Sequence, residues 1–388
     1  MKVKIALLTA LVLLSGGWWI YRGRTEGLSA SEAPVAPPVS LSQVAESPLP
    51  ETIVAPSFGC RIPPGKNVVW CSTFQMAWDR LKTDVLKEPI VLRGNPELAK
   101  QLNSAPFPQE AILPESFYAV AGWGKDGIVE KIRGDMKRKF PDHVPDLSDA
   151  AGSAIVAYAY LQTSVPFTIP YFERRKPLSF RDAAGKPHLV RAFGIRTEED
   201  YAYDQLRAQI GVLHAAPMVK REEGFQEGYG EAVGEFIVDP DRNSRPYQIL
   251  LAKVKARETL AATWAEVEAS ILRSAQGDPP GIGCNDIFLA PNIQLATTRH
   301  FKELEGRSML NPGARGLPIQ TALQSIRFVL NRSGAELGSE AKMLVLPIPR
   351  YFVIDGPFLV VLRKRGGREP FFTLWVANPE VLELWPTD

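Results

Sequence analysis

The sequence predicts an α+β domain, and three observations predict it. Helical and strand-like segments follow one another without the regular strand–helix alternation that builds a parallel sheet. Near the C-terminus two apolar runs, Phe358–Arg363 and Phe371–Val376, flank Arg365-Gly366-Gly367-Arg368. A Gly pair accepts the positive φ of a tight turn, so this reads as a β-hairpin. Apolar residues elsewhere recur at helical spacing, as in Phe74, Ala77, Trp78 and Leu81. With 388 residues, 45% of them hydrophobic and 23% charged, the chain has ordinary globular composition. No internal repeat is evident.

The N-terminus is organised differently. Lys2 and Lys4 precede the apolar run Ile5–Tyr21, which closes on Trp18-Trp19-Ile20-Tyr21 and is followed by Arg22 and Arg24. As a helix this run covers about 26 Å, near the hydrocarbon thickness of a bilayer, and its aromatic end suits a membrane interface. It is expected to be a signal anchor, the alternative being a signal peptide cleaved after Ser15-Gly16-Gly17. Residues 26–57 carry Pro34, Pro37, Pro38, Pro48, Pro50 and Pro56 without hydrophobic period. The expected organisation is therefore 1–25 anchor or signal peptide, 26–57 extended linker, and 58–388 folded domain. Either reading of the leader puts the domain outside the cytoplasm, membrane-anchored or secreted.

A net charge of +2 gives no electrostatic case for nucleic acid, and Lys137-Arg138-Lys139 reads as a solvated helix end. Of three cysteines, Cys60 and Cys71 flank a short Pro-Pro-Gly loop and Cys284 stands apart. In an oxidising compartment a Cys60–Cys71 disulfide is expected; otherwise Cys71 is a small buried strand residue. No metal site and no cofactor are expected, because no Cys-x-x-Cys pair or adjacent His is present.

Along the chain, Asn67–Cys71 is a short strand, and Ser72 or Thr73 caps the helix carrying Phe74. Ile128, Ile132 and Met136 mark a helix ended by Phe140-Pro141. Ala154–Leu161 is a long strand, Ile210–His214 and Tyr247–Leu251 are further strands, and Leu260, Trp264, Val267 and Ile271 form one helix face. Enzyme signatures fail on their details. Gly122–Gly127 fits a dinucleotide-binding spacing, but Trp123 crowds the turn and Asp126 puts negative charge beside a phosphate. Ser339-Glu340-Ala341-Lys342 matches the Ser-x-x-Lys of penicillin-recognising enzymes without its companion segments. Asp239-x-Asp241-x-Asn243 opens like a calcium loop, but Ser244 and Leu250 stand where Gly and Glu are required. The four histidines suggest neither a zinc site nor a triad, so no enzyme is expected.

The last part of the chain is the most informative. Ile326–Leu330 is a strand, Gly334 begins a hinge, and Phe352–Phe358 (FVIDGPF) and Val376-Ala377-Asn378-Pro379 frame the final strands. This order resembles the C-terminal end of the serpin family, whose reactive loop is followed by a Phe-x-x-x-x-Pro-Phe strand and a strand ending in Val-x-Asn-Pro. Asn67 resembles the family's entry Asn, Phe301–Gly306 resembles the short helix before its hinge, and the resemblance covers about 60–388. It implies a divergent member of that fold: a large mixed central sheet, smaller barrel-like strands and surrounding helices.

The resemblance also implies a mechanism. A secreted or periplasmic protease cuts the exposed loop and is held covalently while the freed hinge enters the central sheet as a new strand. The hinge would be Gly334, Ala335, Glu336, Leu337, Gly338 and Ser339, and the reactive loop would include Met343, Leu344, Val345, Leu346, Ile348 and Arg350. An inserting segment must alternate faces. Ala335, Leu337, Ser339, Ala341 and Met343 would face inward, and Glu336, Gly338, Glu340 and Lys342 outward. The family's scissile bond would fall near Ile348–Pro349, a poor substrate bond because Pro lacks the N–H. Arg350–Tyr351 or the Met343–Leu346 run is the alternative bait. Departures from the family pattern fall at Cys71, Thr73, Phe74 and Gln324, where its shutter residues would stand. Arg332 takes the place of a Glu, Leu337 and Glu340 interrupt the small-residue hinge, and the Phe-Lys-Gly-x-Trp signature is absent. These departures point to the alternative reading, a non-inhibitory structural or ligand-binding protein of the same fold.

Overall fold

The computed structural model describes residues 48–141, 143, 145, 147, 155–163, 165–195, 203–219, 231–275, 282–283, 286–332 and 350–386. The predicted Ile5–Tyr21 segment lies outside them. Among the described residues no helix is long and apolar enough to cross a membrane.

Numbered along the chain, one mixed sheet joins β1 (Thr52–Val54), β2 (Asn67–Cys71), β9 (Gly211–Ala215), β12 (Phe236–Asp239), β13 (Tyr247–Lys253), β18 (Phe358–Lys364) and β19 (Pro370–Val376). Its order is β1-β2-β19-β18-β13-β12-β9, with β1 parallel to β2 and the other neighbours antiparallel. The second sheet joins β5 (Phe172–Glu173), β8 (Ala192–Ile195), β10 (Met218–Val219), β11 (Glu231–Val233), β14 (Ile287–Pro291) and β17 (Arg350–Val353). Its order is β10-β11-β17-β14-β8-β5. Three strand pairs complete the set: β3 (Phe117–Trp123) with β4 (Ile155–Leu161), β6 (Leu178–Arg181) with β7 (Pro187–Val190), and β15 (Ile293–His300) with β16 (Leu323–Leu330). The helices are α1 (Thr73–Arg80), α2 (Glu97–Ser104), α3 (Ile128–Lys139), α4 (Tyr203–Gln209) and α5 (Leu260–Ser274). The fold is α+β, as the sequence predicts.

The predicted C-terminal hairpin is the middle of the large sheet. All of β19 and Phe358–Leu362 of β18 are buried, because both faces are covered. Gly366 at φ +79° makes the turn. Arg365 locks it to the β12–β13 turn: its guanidinium donates to Asp239 (2.7 Å), the Asp241 carbonyl (2.6 Å) and the Ser244 carbonyl (2.7 Å). Gln248 donates to the same Asp239 carboxylate at 2.7 Å. The acids of the calcium-like motif thus serve an ion pair and backbone turns. At the sheet's other side, Asn67 Oδ1 accepts from the Ala377 (2.7 Å) and Asn378 (3.0 Å) amides. Two residues that carry the family resemblance therefore meet. In the second sheet, Gly194 permits β8 to approach β14, since a Cβ there would lie 1.9 Å from the Phe288 carbonyl oxygen.

Two boundaries differ from expectation. Thr52–Val54 lies within the predicted linker yet pairs with Asn67–Val69 as β1, because Thr52 Oγ1 and the Glu51 amide donate to Glu380 across the chain ends. After His300 the chain makes turns where the resemblance implied a short helix. They are organised by Glu305, which accepts from Lys302 (2.6 Å) and the Ala322 amide (3.0 Å), with His300 Nδ1 at 2.8 Å. This joins β15 to β16.

Burial alone would raise the Glu305 carboxyl, but its hydrogen bonds from Lys302, Ala322 and His300 prevail and hold it at about 2, below its ordinary 4.5. A depressed carboxyl contributes stability that is complete above its unfolded value and lost as pH falls through its folded one. Glu305→Gln should therefore be less stable than the parent above pH 4.5, with the difference closing as pH falls toward about 2. Urea midpoints measured across that range would check this; a pH-independent difference would contradict it.

Candidate functional site

The predicted hinge, Gly334–Ser339, and the loop residues Met343, Leu344, Val345, Leu346 and Ile348 lie outside the described residues. Both ends of that segment are described, and each is anchored. At its start, the Arg332 carbonyl accepts from the Tyr171 amide at 3.2 Å, and Arg332 Nε lies 3.3 Å from Glu173 Oε2 in β5. At its end, Arg350 is the first residue of β17, which runs parallel to β11 on one side and to β14 on the other.

The bait expectation for Arg350 is corrected here. The Arg350 amide donates to Asp286 Oδ1 at 2.9 Å and its Nε to Asp286 Oδ2 at 3.0 Å, while Asp286 itself is 4% exposed. Tyr351 is buried within the sheet. A side chain and amide committed to a buried carboxylate, in a strand paired on both edges, are not an exposed loop.

The predicted disulfide is likewise not formed, and Cys60 and Cys71 are free thiols. β2 carries Cys71 into the sheet opposite Phe372, where Thr73 Oγ1 is 3.6 Å from its sulfur. Cys60 stays in the loop before β2, with Ser57 Oγ at 3.8 Å. Burial pushes the Cys71 thiol up, partly countered by hydrogen bonds from Thr73 and Ser72.

β4 is hydrogen-bonded to β3 and β16 to β15, and among the described residues neither β4 nor β16 has a second neighbour. Among the described residues, then, each has strand pairing along one edge only. α1 packs against β3, β4 and β16, so the two pairs share one floor. β16 alternates as an inserted or core strand should: Gln324, Ile326, Phe328 and Leu330 are buried, while Leu323, Ser325 and Arg327 are exposed. Gln324 ties the strand to the start of α1, its Nε2 donating to the Cys71 carbonyl (3.0 Å) and to Thr73 Oγ1 (2.7 Å). Its Oε1 is buried without a partner.

The β3–β4 pair is clad on both faces. Phe117, Ala119, Ala157 and Ala159 pack into the main core, and Tyr118, Val120, Tyr158 and Tyr160 pack on Ile128, Ile132 and Met136 of α3. His143 stacks on Tyr160 at 4.1 Å with Nε2 3.1 Å from Tyr158 Oη. Burial, and then the charge of Arg327 on β16, lower its pKa. The remaining histidines are dispersed onto separate partners, Asp182, Ser274 and Glu305. Among the described residues no group of three or more His, Cys, Asp or Glu is placed to hold a metal.

Asp286 and Glu173, which hold the two ends, were not singled out by sequence reasoning. Neither belongs to a motif, and Asp286 meets Arg350 across 64 positions.

No protein-family profile matches the sequence, and no curated protein does. Solved structures do. Thyroxine-binding globulin in complex with thyroxine is similar at 12% identity and a TM-score of 0.48, over 82% of this chain and 94% of that one. Mouse protein-Z dependent protease inhibitor is similar at 12% identity and a TM-score of 0.48, over 81% and 91%. Serpin48 of the insect Tenebrio molitor is similar at 10% identity and a TM-score of 0.43, over 80% and 92%. These structures are serpins, and the likeness of this chain to them is one of fold.

Proposed function

We propose that this chain is an extracytoplasmic serpin-like protease inhibitor whose segment 333–349 is the bait and the moving part. The observation that carries the reading is that, among the described residues, β4 and β16 each pair with one strand and both pack on α1, with that segment following β16 in the chain. A strand entering there would satisfy peptide groups on both sides at once. The alternation of Ala335, Leu337, Ser339, Ala341 and Met343 against Glu336, Gly338, Glu340 and Lys342 suits such entry. In this reading a protease attacks a bond of the segment, and the acyl half stays on the protease as an ester while the new amino terminus leaves. Insertion then carries the protease away before water completes the cut. The apolar N-terminal run supports secretion or membrane tethering.

A second reading, a non-inhibitory binding protein of the same fold, is favoured by one contact. Gln324 fastens β16 to the junction of β2 and α1 through two hydrogen bonds, which resists movement of β16 away from that junction. Incubation with a panel of secreted proteases separates the two. An SDS-stable complex supports inhibition; simple cleavage supports the second reading.

Two outcomes are expected. Cutting within 333–349 should raise the melting temperature by several degrees, since a gain of even ~3 kcal/mol is visible at this size. Ala335→Arg should abolish the rise, because an unpaired charge cannot be left on the buried face. Unchanged melting after a verified cut would remove the insertion mechanism. Separately, trypsin should leave the Arg350–Tyr351 bond of the parent intact. Asp286→Ala should open that bond about tenfold faster, an effect kept modest by solvent screening of the half-exposed guanidinium. Mass spectrometry of the fragments reads this directly, and parental cleavage at Arg350 would restore it as bait.

A further inference from the structure

A groove of about 660 Å³ lies between β1 and the end of β15, and its two walls differ in chemistry. Leu49, Ile53 and Val54 line one side, and Thr297, Arg299 and His300 line the other. The size suits a small molecule. The polar wall is held from behind. Arg299 Nη1 donates to the Val54 carbonyl at 2.5 Å and Nη2 to Glu303 Oε1 at 2.9 Å, and the guanidinium sits over the Phe301 ring at 5.3 Å. Those contacts fix the planar fork and leave further N–H groups of the same guanidinium for a ligand. His300 Nδ1 meets Glu305 Oε1 at 2.8 Å. The Glu305 carboxyl, held at about 2, is ionised and can only accept, so the proton lies on Nδ1 and Nε2 is left on the far side of the ring. The Arg299 and His300 side chains are 31% and 45% exposed, so a ligand can reach both.

We propose that this groove binds a small amphipathic carboxylate, its hydrocarbon part against Leu49 and Ile53 and its acid group on Arg299. Charge alone does not hold an anion here. Glu303 is paired with Arg299, and Glu305 with His300 and Lys302, so the cations beside the groove are balanced by acids. What remains is directional. The unused N–H groups of a fixed guanidinium are worth most where an apolar body keeps water from them. That requirement calls for an acid group and an apolar body in one molecule, not for a bare anion. Thr52, also on the groove, does not compete for the acid, because its hydroxyl donates to Glu380 at 2.6 Å. A ligand packed on Ile53 would also steady β1 where it pairs with Asn67–Val69. The site is independent of segment 333–349 and of either reading of that segment.

Calorimetric titration of the full chain with octanoate, 1-octanol and inorganic phosphate tests this, and hydrogen exchange locates the site. Octanoate should bind saturably and about tenfold more tightly than 1-octanol, the worth of one charge-assisted contact, and phosphate should not bind. With octanoate bound, exchange should slow in 49–54 and 297–300. Arg299→Gln should remove the preference for the acid and leave 1-octanol binding unchanged, while Ile53→Ser should weaken both. The parent alone can overturn the proposal, whether or not the variants fold. No saturable octanoate binding below ~1 mM, equal affinity for 1-octanol, or protection confined to other segments would each do so. Phosphate bound as tightly as octanoate would show a plain anion site and overturn it too, as would a folded Arg299→Gln variant that keeps the acid preference.

Discussion

One helix carries strands of two separate pairs: α1 packs against β3, β4 and β16. α3 and α1 clad β4, α1 supports β16, and neither is bonded to a second strand among the described residues. Gln324 holds β16 at a fixed place on α1, and Glu305 organises the turns that join β15 to β16. Arg332 and Arg350, the described residues on either side of 333–349, are each held by a carboxylate.

Such an arrangement needs a frame that stays in place. The seven-stranded sheet supplies it, and its central hairpin is secured twice over. Buried apolar side chains on both faces of β18 and β19 supply most of the cohesion. Arg365 adds direction, since a guanidinium shared among Asp239 and two turn carbonyls fits a single register of the two hairpin turns. The ion pair is almost fully buried on its acid side, so removing one partner would leave a charge with no solvent to accept it. Cohesion and register are thus divided between different interactions.

The division also explains what could be read from sequence. β18, β19 and their Gly turn were legible because the signal is local: period, turn chemistry and a short loop. The faces of α1, α3 and α5 were legible for the same reason. Arg350 was misread as loop because its partner, Asp286, lies far off in the chain and carries no motif. The Cys60–Cys71 pairing was inferred from closeness in sequence, and a strand between two residues cancels that closeness. β1 was taken for linker because three residues of ordinary composition become a strand only where Asn67–Val69 lie beside them.

The strand that the linker hides has a mechanical meaning. β1 runs parallel to β2 at the rim of the large sheet, pinned by Thr52 Oγ1 and the Glu51 amide to Glu380. A pull along β1 would load its hydrogen bonds to β2 together and in shear, not one after another as in peeling. Force entering from the N-terminal side would then be absorbed at the rim of the rigid frame, before it reached β16 and the strand edges.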